Sequence, residues 1–139
     1  MRTEYNTTAS VENVEAVTAF VDAQLEALNC PPEPQMQIEI AIDELFSNIA
    51  FYAYNPDVGP ATVCVEVEED PLSVIITFID QGKPFNPLES ADPDVMKMAQ
   101  DDSVGGLGIF LVKKTMDDVV YEHKDGHNIL TIKKHLDEA

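Results

Sequence analysis

Residues 39–50 read EIAIDELFSNIA, and this stretch carries the pattern that decides the fold. Apolar residues recur around it at intervals of three and four, which predicts a helix with one buried stripe. The stripe comprises Ile38, Ala41, Ile42, Leu45, Phe46 and Ile49. Glu44 and Asn48 are four positions apart, so they share one face of this helix, about 5–6 Å apart at Cβ. A carboxylate beside an apolar surface is costly unless a ligand uses its charge, but the spacing alone also fits a solvated face.

The composition predicts one compact domain, residues 1–139, because 139 residues at 45% hydrophobic content can form one core. With 26 acidic and 8 basic residues, the net charge of -18 disfavours nucleic acid and anionic membranes as partners. Cys30 and Cys64 are isolated, and no apolar run approaches the ~18–20 residues of a membrane span. We therefore expect a soluble protein of the reducing cytoplasm.

The chain before and after this helix alternates helix and strand patterns. Residues 3–8 favour an edge strand, and Ser10 is a candidate N-cap for a first amphipathic helix that ends near Asn29. The second helix, which carries Glu44 and Asn48, is expected to run to about Tyr54. Leu72 to Ile79 is apolar at nearly every position, which predicts a central strand covered on both sides.

The C-terminal part of the chain completes the predicted fold. We expect a third helix at about residues 107–116, with Leu111 and Met116 facing inward. A hairpin follows, in which Asp125 and Gly126 supply the positive φ angles of a tight turn. Together the patterns predict an α/β fold, a two-layer α/β sandwich of about three helices on a mixed, mostly antiparallel sheet.

A second candidate site segment follows the central strand. Asp80 stands at the open end of that strand, where a half-desolvated carboxylate requires a hydrogen-bond donor such as the exocyclic amine of a purine. Gly82 would let a flat ring approach the backbone. The alternative interpretation is an ordinary turn, in which Asp80 caps nearby backbone amides.

A third candidate segment is the glycine-rich run of residues 105–108, Gly-Gly-Leu-Gly. Glycines at the start of a helix let backbone N–H groups point at a phosphate, which the helix dipole also favours. Glycines also occur in loop turns and close helix packing, so the run by itself leaves both interpretations open. Residues 85–104 before it are rich in proline and aspartate, and we expect this long loop to be a functional cover.

The three segments occur in an order that resembles the GHKL superfamily of ATP-binding domains, which have the Bergerat fold. Glu44-Leu-Phe-Ser-Asn48 resembles its N box, Asp80-x-Gly82 its first glycine box, and residues 105–109 its second. Within the superfamily, the chain is most similar to the anti-sigma-factor serine kinases of bacterial partner-switching systems. The similarity lies in the short single-domain form and in two runs, Asn-Ile-Ala-Phe-Tyr-Ala-Tyr at residues 48–54 and Gly-Gly-Leu-Gly-Ile-Phe-Leu-Val-Lys at residues 105–113. The resemblance covers nearly the whole chain.

The resemblance implies a role for each segment. Asn48 would coordinate Mg²⁺ between the phosphates, and Glu44 would be the catalytic general base. Asp80 would receive the adenine amino group, and residues 85–104 would form the ATP lid. The residues implied to bind Mg-ATP or Mg-ADP are Asn48, Asp80, Gly82, Gly105, Gly106, Leu107 and Gly108.

The function implied by the resemblance is that of a Mg-ATP-dependent serine/threonine protein kinase acting as an anti-sigma factor. Its partners would be an anti-sigma-antagonist protein of the STAS type, a sigma factor and a second copy of the chain in a homodimer. Phe51 and Tyr52 stand where these kinases often carry a basic residue, so a nucleotide-gated binding module with little kinase activity is the alternative. The catalytic domain of a histidine kinase is disfavoured, because no helical hairpin with a phosphoacceptor histidine is evident.

Overall fold

A computed structural model describes residues 2–54, 57–69, 71–84, 86 and 105–136. Its helices are α1 (Val14–Ala27), α2 (Pro32–Asn48) and α3 (Gly105–Thr115), with a 3-10 turn at Val11–Asn13 and a π-helical turn at Ile49–Ala53. Its strands are β1 (Arg2–Thr8), β2 (Pro60–Glu68), β3 (Ser73–Asp80), β4 (Asp118–Lys124) and β5 (His127–His135). Ser10 Oγ accepts a hydrogen bond from Glu12 N, so it caps the 3-10 turn that leads into α1.

The five strands form one sheet in the order β1-β2-β3-β5-β4, and each of the four described pairings is antiparallel. The helices and one face of the sheet share a hydrophobic core, centred on residues such as Phe46 and Phe78. The predicted α/β sandwich with three helices is therefore confirmed. The register places Asp80 at the end of β3 directly opposite Asn128 at the start of β5.

The central strand β3 is covered by helices on one face, where the sequence predicted cover on both. Val74, Ile76 and Phe78 are buried against the helices, whereas Ile75 and Ile79 between them are only partly buried. The prediction failed because β-branched residues also favour the open face of a sheet, where they pack against cross-strand neighbours. Asp80, at the end of the strand, lies on the same buried pleat face as Ile76 and Phe78.

Helix α3 begins at Gly105 and buries Ile109 and Val112, and Met116 is buried directly after its last residue. The predicted inward position of Met116 is confirmed, but that of Leu111 is wrong, since this side chain is 43% exposed. The buried residues follow the spacing i, i+3 and i+7, and Leu111 lies on the opposite side of that stripe. Within the described residues, no helix is long and apolar enough to cross a membrane.

The hairpin between β4 and β5 has the predicted two-residue turn. Asp125 has φ 54° and Gly126 has φ 78°, so both central residues adopt the positive φ that joins tightly paired antiparallel strands. The turn sets the register of β5, and the register in turn places Asn128 beside Asp80.

Candidate functional site

The C-terminal end of α2 is fastened to the loop that follows β3. Asn48 is the last residue of α2, and the π-helical turn after it directs the carbonyl of Ala53 to the backbone N–H of Lys83, at 2.9 Å. Tyr54 extends this connection, because its hydroxyl donates to the carbonyl of Pro60 and accepts from Gln81 N at 2.7 Å. Single π-helical turns within helices occur often at functional sites. Here the turn joins the segment of Asn48 to the segment of Asp80.

Gly82 is required by this connection. A Cβ atom at Gly82 would overlap the backbone carbonyl and the Cβ of Ala53, so a larger residue would force the two backbone segments apart. The sequence assigned Gly82 to the approach of a flat ring. In the structure, the space that a Cβ would need is taken by the π-helical turn.

Asp80 is 4% exposed and accepts two hydrogen bonds. Its Oδ1 accepts from Gly82 N at 2.8 Å and from Asn128 Nδ2 at 2.9 Å. The hydrogen bond from Gly82 is the turn cap that the sequence offered as the ordinary explanation. Both hydrogen bonds to this carboxylate within the described residues fall on Oδ1, and neither falls on Oδ2.

A cavity of about 30 Å³ lies between the end of α2 and the sheet. It is lined by Leu45, Asn48, Ile49, Ala53, Phe78, Asp80, Tyr121, Asn128 and Leu130. The predicted Asn48 and Asp80 therefore border the same space, with an apolar wall between them. The cavity has room for about two waters, so a purine ring fits only if the walls move apart or the space extends into the part of the chain outside the described residues.

Glu44 lies beside the first turn of α3. Its Oε1 is buried and accepts no hydrogen bond from the residues that the structure describes. A Cβ at Gly108 would overlap the carboxyl group, so the glycine makes room for Glu44. Burial raises the pKa of the Glu44 carboxyl above its ordinary value of 4.5, and the negative charge of Asp43 raises it further. A hydrogen bond with the Asn48 side chain lowers this pKa and so opposes the first two effects. The protein therefore holds a poorly solvated carboxyl group against the glycine-led helix.

The oxygen atoms of this region fit a hard cation such as Mg²⁺. Glu44 supplies a buried oxygen without a partner in the described residues, and Asn48 supplies an amide oxygen one turn further along the same helix. Mg²⁺ prefers such oxygen ligands and usually keeps waters and substrate phosphates in its coordination shell. The described ranges contain no group of three or more His, Cys, Asp or Glu residues arranged for a metal, so a bound cation would depend on those further ligands.

The structure brings together most of the residues that the sequence singled out. Asn48 and Asp80 border one cavity, Gly82 supports the loop beside it, and Glu44 contacts the helix turn that contains Gly108. Gly105, Gly106 and Leu107 form the first residues of α3, but their side chains lie outside the described part of the structure. The expected lid at residues 85–104 also lies outside it, apart from Asn86.

Sequence reasoning missed three residues that shape this site: Tyr54, Tyr121 and Asn128. Asn128 begins a strand next to a turn, where asparagine is common for local reasons. Only the pairing of β3 with β5 reveals that it faces Asp80. The sequence gives an equally weak signal that Tyr54 and Tyr121 belong to the site. Tyrosine is common in strands for packing reasons, so Tyr121 does not stand out.

Comparison with known proteins identifies the family to which the chain belongs. The model of the family described as "Histidine kinase-like ATPase domain" matches residues 7–134, and the chain belongs to this family. Family membership agrees with the resemblance to GHKL ATP-binding domains and with the three-helix sandwich described above.

Two individual relatives of the chain are named as protein kinases. The chain is 33% identical over 98 residues to the serine-protein kinase RsbW of Bacillus cereus (strain B4264), a match covering 69% of this chain and 61% of that protein. It is 26% identical over 98 residues to the serine/threonine-protein kinase BtrW of Bordetella bronchiseptica, covering 70% of this chain and 68% of that protein. The chain thus spans about three-fifths of the length of the RsbW proteins that it matches, and it is similar to proteins named as protein kinases.

Two solved structures share the fold. A chain in the SiaB-SiaC complex from Pseudomonas aeruginosa superposes with a TM-score of 0.60 at 17% identity, covering 95% of this chain and 88% of that chain. The Acinetobacter baumannii histidine kinase AdeS superposes with a TM-score of 0.51 at 15% identity, covering 96% and 68% respectively. At these identities the likeness concerns the fold alone.

Proposed function

We propose that this protein is a cytoplasmic Mg-ATP-dependent serine/threonine protein kinase that acts as an anti-sigma factor. The observation that supports this most directly is the environment of Glu44. Its carboxyl group has a buried, unpartnered oxygen within the described residues, it lies on the same helix as Asn48, and it faces the glycine-led turn of α3. Membership of an ATPase domain family and similarity to proteins named serine-protein kinases support the same assignment.

The proposed chemistry requires positioning and charge neutralisation more than covalent catalysis by the protein. Asn48 would hold Mg²⁺, which neutralises phosphate charge when it is bound. The backbone amides of residues 105–108 would bind the phosphates at the N-terminus of α3. Oδ2 of Asp80 would accept the amino group of adenine, and residues 85–104 would cover the nucleotide.

Glu44 would act as the general base. The hydroxyl oxygen of the substrate attacks the γ-phosphorus, the bond to the β–γ bridging oxygen breaks, ADP leaves, and the hydroxyl proton passes to the Glu44 carboxylate. Burial raises the pKa of Glu44, which brings it closer to the range in which a general base works well near neutral pH.

The proposed partners follow from the family resemblance and from the charge of the chain. The phosphorylated substrate would be an anti-sigma-antagonist protein of the STAS type, and the sequestered partner a sigma factor. The functional unit would be a homodimer. A net charge of -18 favours partner surfaces with basic side chains.

A nucleotide-gated binding module is the second candidate function. Phe51 and Tyr52 are 57% and 52% exposed on the π-helical turn that directly follows Asn48. In the resembling kinases a basic residue often stands here, and it would offset phosphate charge during transfer. In a module of this kind, ATP or ADP would change the surface offered to a partner with little phosphoryl transfer.

The two candidates are separated by combining a binding assay with a transfer assay. The protein and its Glu44→Gln variant are each mixed with Mg-ATP, and the shift in melting temperature and the transfer of radiolabelled phosphate to a co-purified partner are measured. For a kinase, we expect the variant to keep the thermal shift and to lose about 10²–10⁴-fold in transfer rate. Glu33→Gln, an exposed change in the first turn of α2, is the matched control and should retain transfer.

The other outcomes are equally informative. A thermal shift for both proteins without transfer to any co-purified partner would favour the gating module. Absence of a shift with either ATP or ADP would contradict both candidates. Equal transfer by the wild type and Glu44→Gln would exclude Glu44 as the base.

A further inference from the structure

We infer that Tyr121 and Asn128 are positioning residues that hold the Asp80 carboxylate in one orientation, and that this makes the pocket select a purine with an amino group at C6. The inference rests on the proposed function, because it takes the cavity to be the place where a purine nucleotide binds. It assigns a role to two residues that belong to none of the three sequence segments.

The three side chains form a continuous chain of hydrogen bonds. Tyr121 donates its hydroxyl to Asn128 Oδ1. Asn128 Nδ2 donates to Asp80 Oδ1 at 2.9 Å and to the carbonyl of Lys83 at 2.8 Å. Tyr121, Asn128 and Asp80 lie on neighbouring strands of the sheet and line the same cavity.

This network admits only one orientation of the Asn128 amide. The amide nitrogen faces three acceptors, Asp80 Oδ1 and the carbonyls of Lys83 and, at 3.5 Å, Gly82. The amide oxygen faces the Tyr121 hydroxyl. Turning the amide over would place its oxygen against a carboxylate and a carbonyl, leaving buried acceptors unpaired. These acceptors therefore set the orientation of the asparagine amide, the tyrosine hydroxyl holds the amide oxygen in place, and the asparagine fixes one oxygen of Asp80.

The position of Asp80 is held from both sides. Gly82 N donates to the same Oδ1 at 2.8 Å, so rotation of the carboxylate would break hydrogen bonds to both Gly82 and Asn128. Oδ2 is left at a defined place on the cavity wall. Several hydrogen bonds to one buried oxygen make a side-chain position rigid.

A fixed acceptor distinguishes two closely related ligands, ADP and IDP. ADP carries an amino group at C6, which donates to a carboxylate oxygen. IDP carries an oxygen at C6, which Oδ2 would repel, and an N–H at N1, which a carboxylate could reach only by moving. The selectivity therefore depends on whether Asp80 can move, and Tyr121 and Asn128 are the residues that decide this.

The test measures the affinities of ADP and IDP separately by isothermal titration calorimetry for the wild type, Asn128→Ala and Tyr121→Phe. We expect the wild type to bind ADP at least about tenfold more tightly than IDP, because IDP loses one hydrogen bond to Asp80. Asn128→Ala should weaken ADP about tenfold to hundredfold and IDP much less, since it removes a hydrogen bond to a charged group. Tyr121→Phe should also weaken ADP binding more than IDP binding, with a loss of ADP affinity of about two- to tenfold.

Matched controls come from β1, at the opposite edge of the sheet from β4. Tyr5→Phe removes a hydroxyl, and Asn6→Ala removes an amide that accepts from Thr62 Oγ1, both remote from the cavity. These variants should keep the ADP-to-IDP ratio of the wild type. Thermal unfolding of every variant shows which of them remain folded. If Asn128→Ala does not fold, the comparison of ADP and IDP affinities is made with Tyr121→Phe alone.

The outcomes separate this inference from the proposed function. A collapsed ADP-to-IDP ratio in both variants supports it. If the wild type binds ADP and both variants keep its ratio, or lose ADP and IDP affinity equally, the inference is overturned while nucleotide binding stands. If the wild type binds neither nucleotide, the proposed function itself fails, and the selective role of Tyr121 and Asn128 fails with it.

Discussion

Glu44 shows how a single residue can work against the fold while it serves the proposed chemistry. Its carboxyl group is partly buried, one of its oxygens has no partner among the described residues, and Asp43 adds like charge nearby. A residue selected only for stability would be apolar or paired at this position. The cost is consistent with a group kept available for a metal, a proton or both.

The raised pKa of Glu44 predicts a pH-dependent cost in the nucleotide-free protein. Because burial raises the pKa in the folded state, the carboxyl group favours folding below its ordinary value of 4.5, and this contribution is lost as the pH rises through the folded-state pKa. We therefore expect Glu44→Gln to raise the melting temperature at neutral pH. The gain should shrink as the pH falls through the folded-state pKa and should be lost once the pH is below 4.5, as measured by thermal unfolding across this range. A variant that is less stable than the wild type at neutral pH would contradict the prediction.

Gly108→Ala should separate folding from catalysis. The added Cβ would overlap the end of the Glu44 side chain, which is flexible and can turn away at small cost. We expect a folded protein whose phosphate transfer falls about 100-fold, because a displacement of about 1 Å in a catalytic group has that effect. Leu111→Ala on the exposed side of α3 is the control and should leave transfer unchanged. An unaltered transfer rate in Gly108→Ala would show that the position of Glu44 is unimportant.

At the scale of elements, the site depends on the connection between the end of α2 and the end of β3. The π-helical turn places the Ala53 carbonyl against Gly82 and Lys83, and Tyr54 joins the same turn to Gln81. These contacts are between backbone groups or involve them, so they tie the segment of Asn48 to the segment of Asp80 beside the cavity. The elements carry the site residues, and this junction sets the distance between them.

Gly82→Ala tests the junction. Its Cβ would overlap a backbone carbonyl, which cannot move aside as the end of a side chain can. We expect a loss of about 1–3 kcal/mol in the free energy of unfolding, measured by urea denaturation, together with loss of nucleotide binding. The comparison with Gly108→Ala makes the test specific, since both add one methyl group. Equal stability of the two variants would contradict the distinction between a backbone contact and a side-chain contact.

At the scale of the whole molecule, the excess of acidic residues dominates. A net charge of -18 on 139 residues means that the folded chain repels itself and repels a nucleotide approaching from a distance. The few described ion pairs are exposed, for example Arg2 with Glu66 and Lys133 with Glu68, and exposed pairs contribute little. The proposed site therefore has to use Mg²⁺ and backbone amides at close range.

Salt should stabilise this protein. Raising the NaCl concentration from about 0.01 M to about 1 M shortens the Debye length from about 30 Å to about 3 Å and screens the self-repulsion. We expect the melting temperature of the nucleotide-free protein to rise by several degrees, as measured by differential scanning fluorimetry. An equal osmolarity of an uncharged solute is the control for non-electrostatic effects. A falling melting temperature would show that ion pairing outweighs repulsion.

Local spacing in the sequence was sufficient to predict the helices, the strands, the hairpin turn and the three candidate segments. It failed at Leu111 and on the open face of β3, where periodicity could not tell which sides the helices would cover. The resemblance to a family of ATP-binding domains followed from the order of the three segments, and the family is confirmed. The assignment of Glu44, Asn48 and Asp80 to particular roles stays a prediction.

Sequence periodicity is enough to establish which residues share a helix face or a strand face, because those relations are fixed by the helical and strand repeats. Three contacts are visible only in the folded chain: Asn128 binds Asp80 from 48 residues away, Gly108 makes room for Glu44, and Gly82 packs on the π-helical turn. Such contacts depend on strand register and on helix packing over the sheet. Both are set by the whole core at once, so no local pattern contains them.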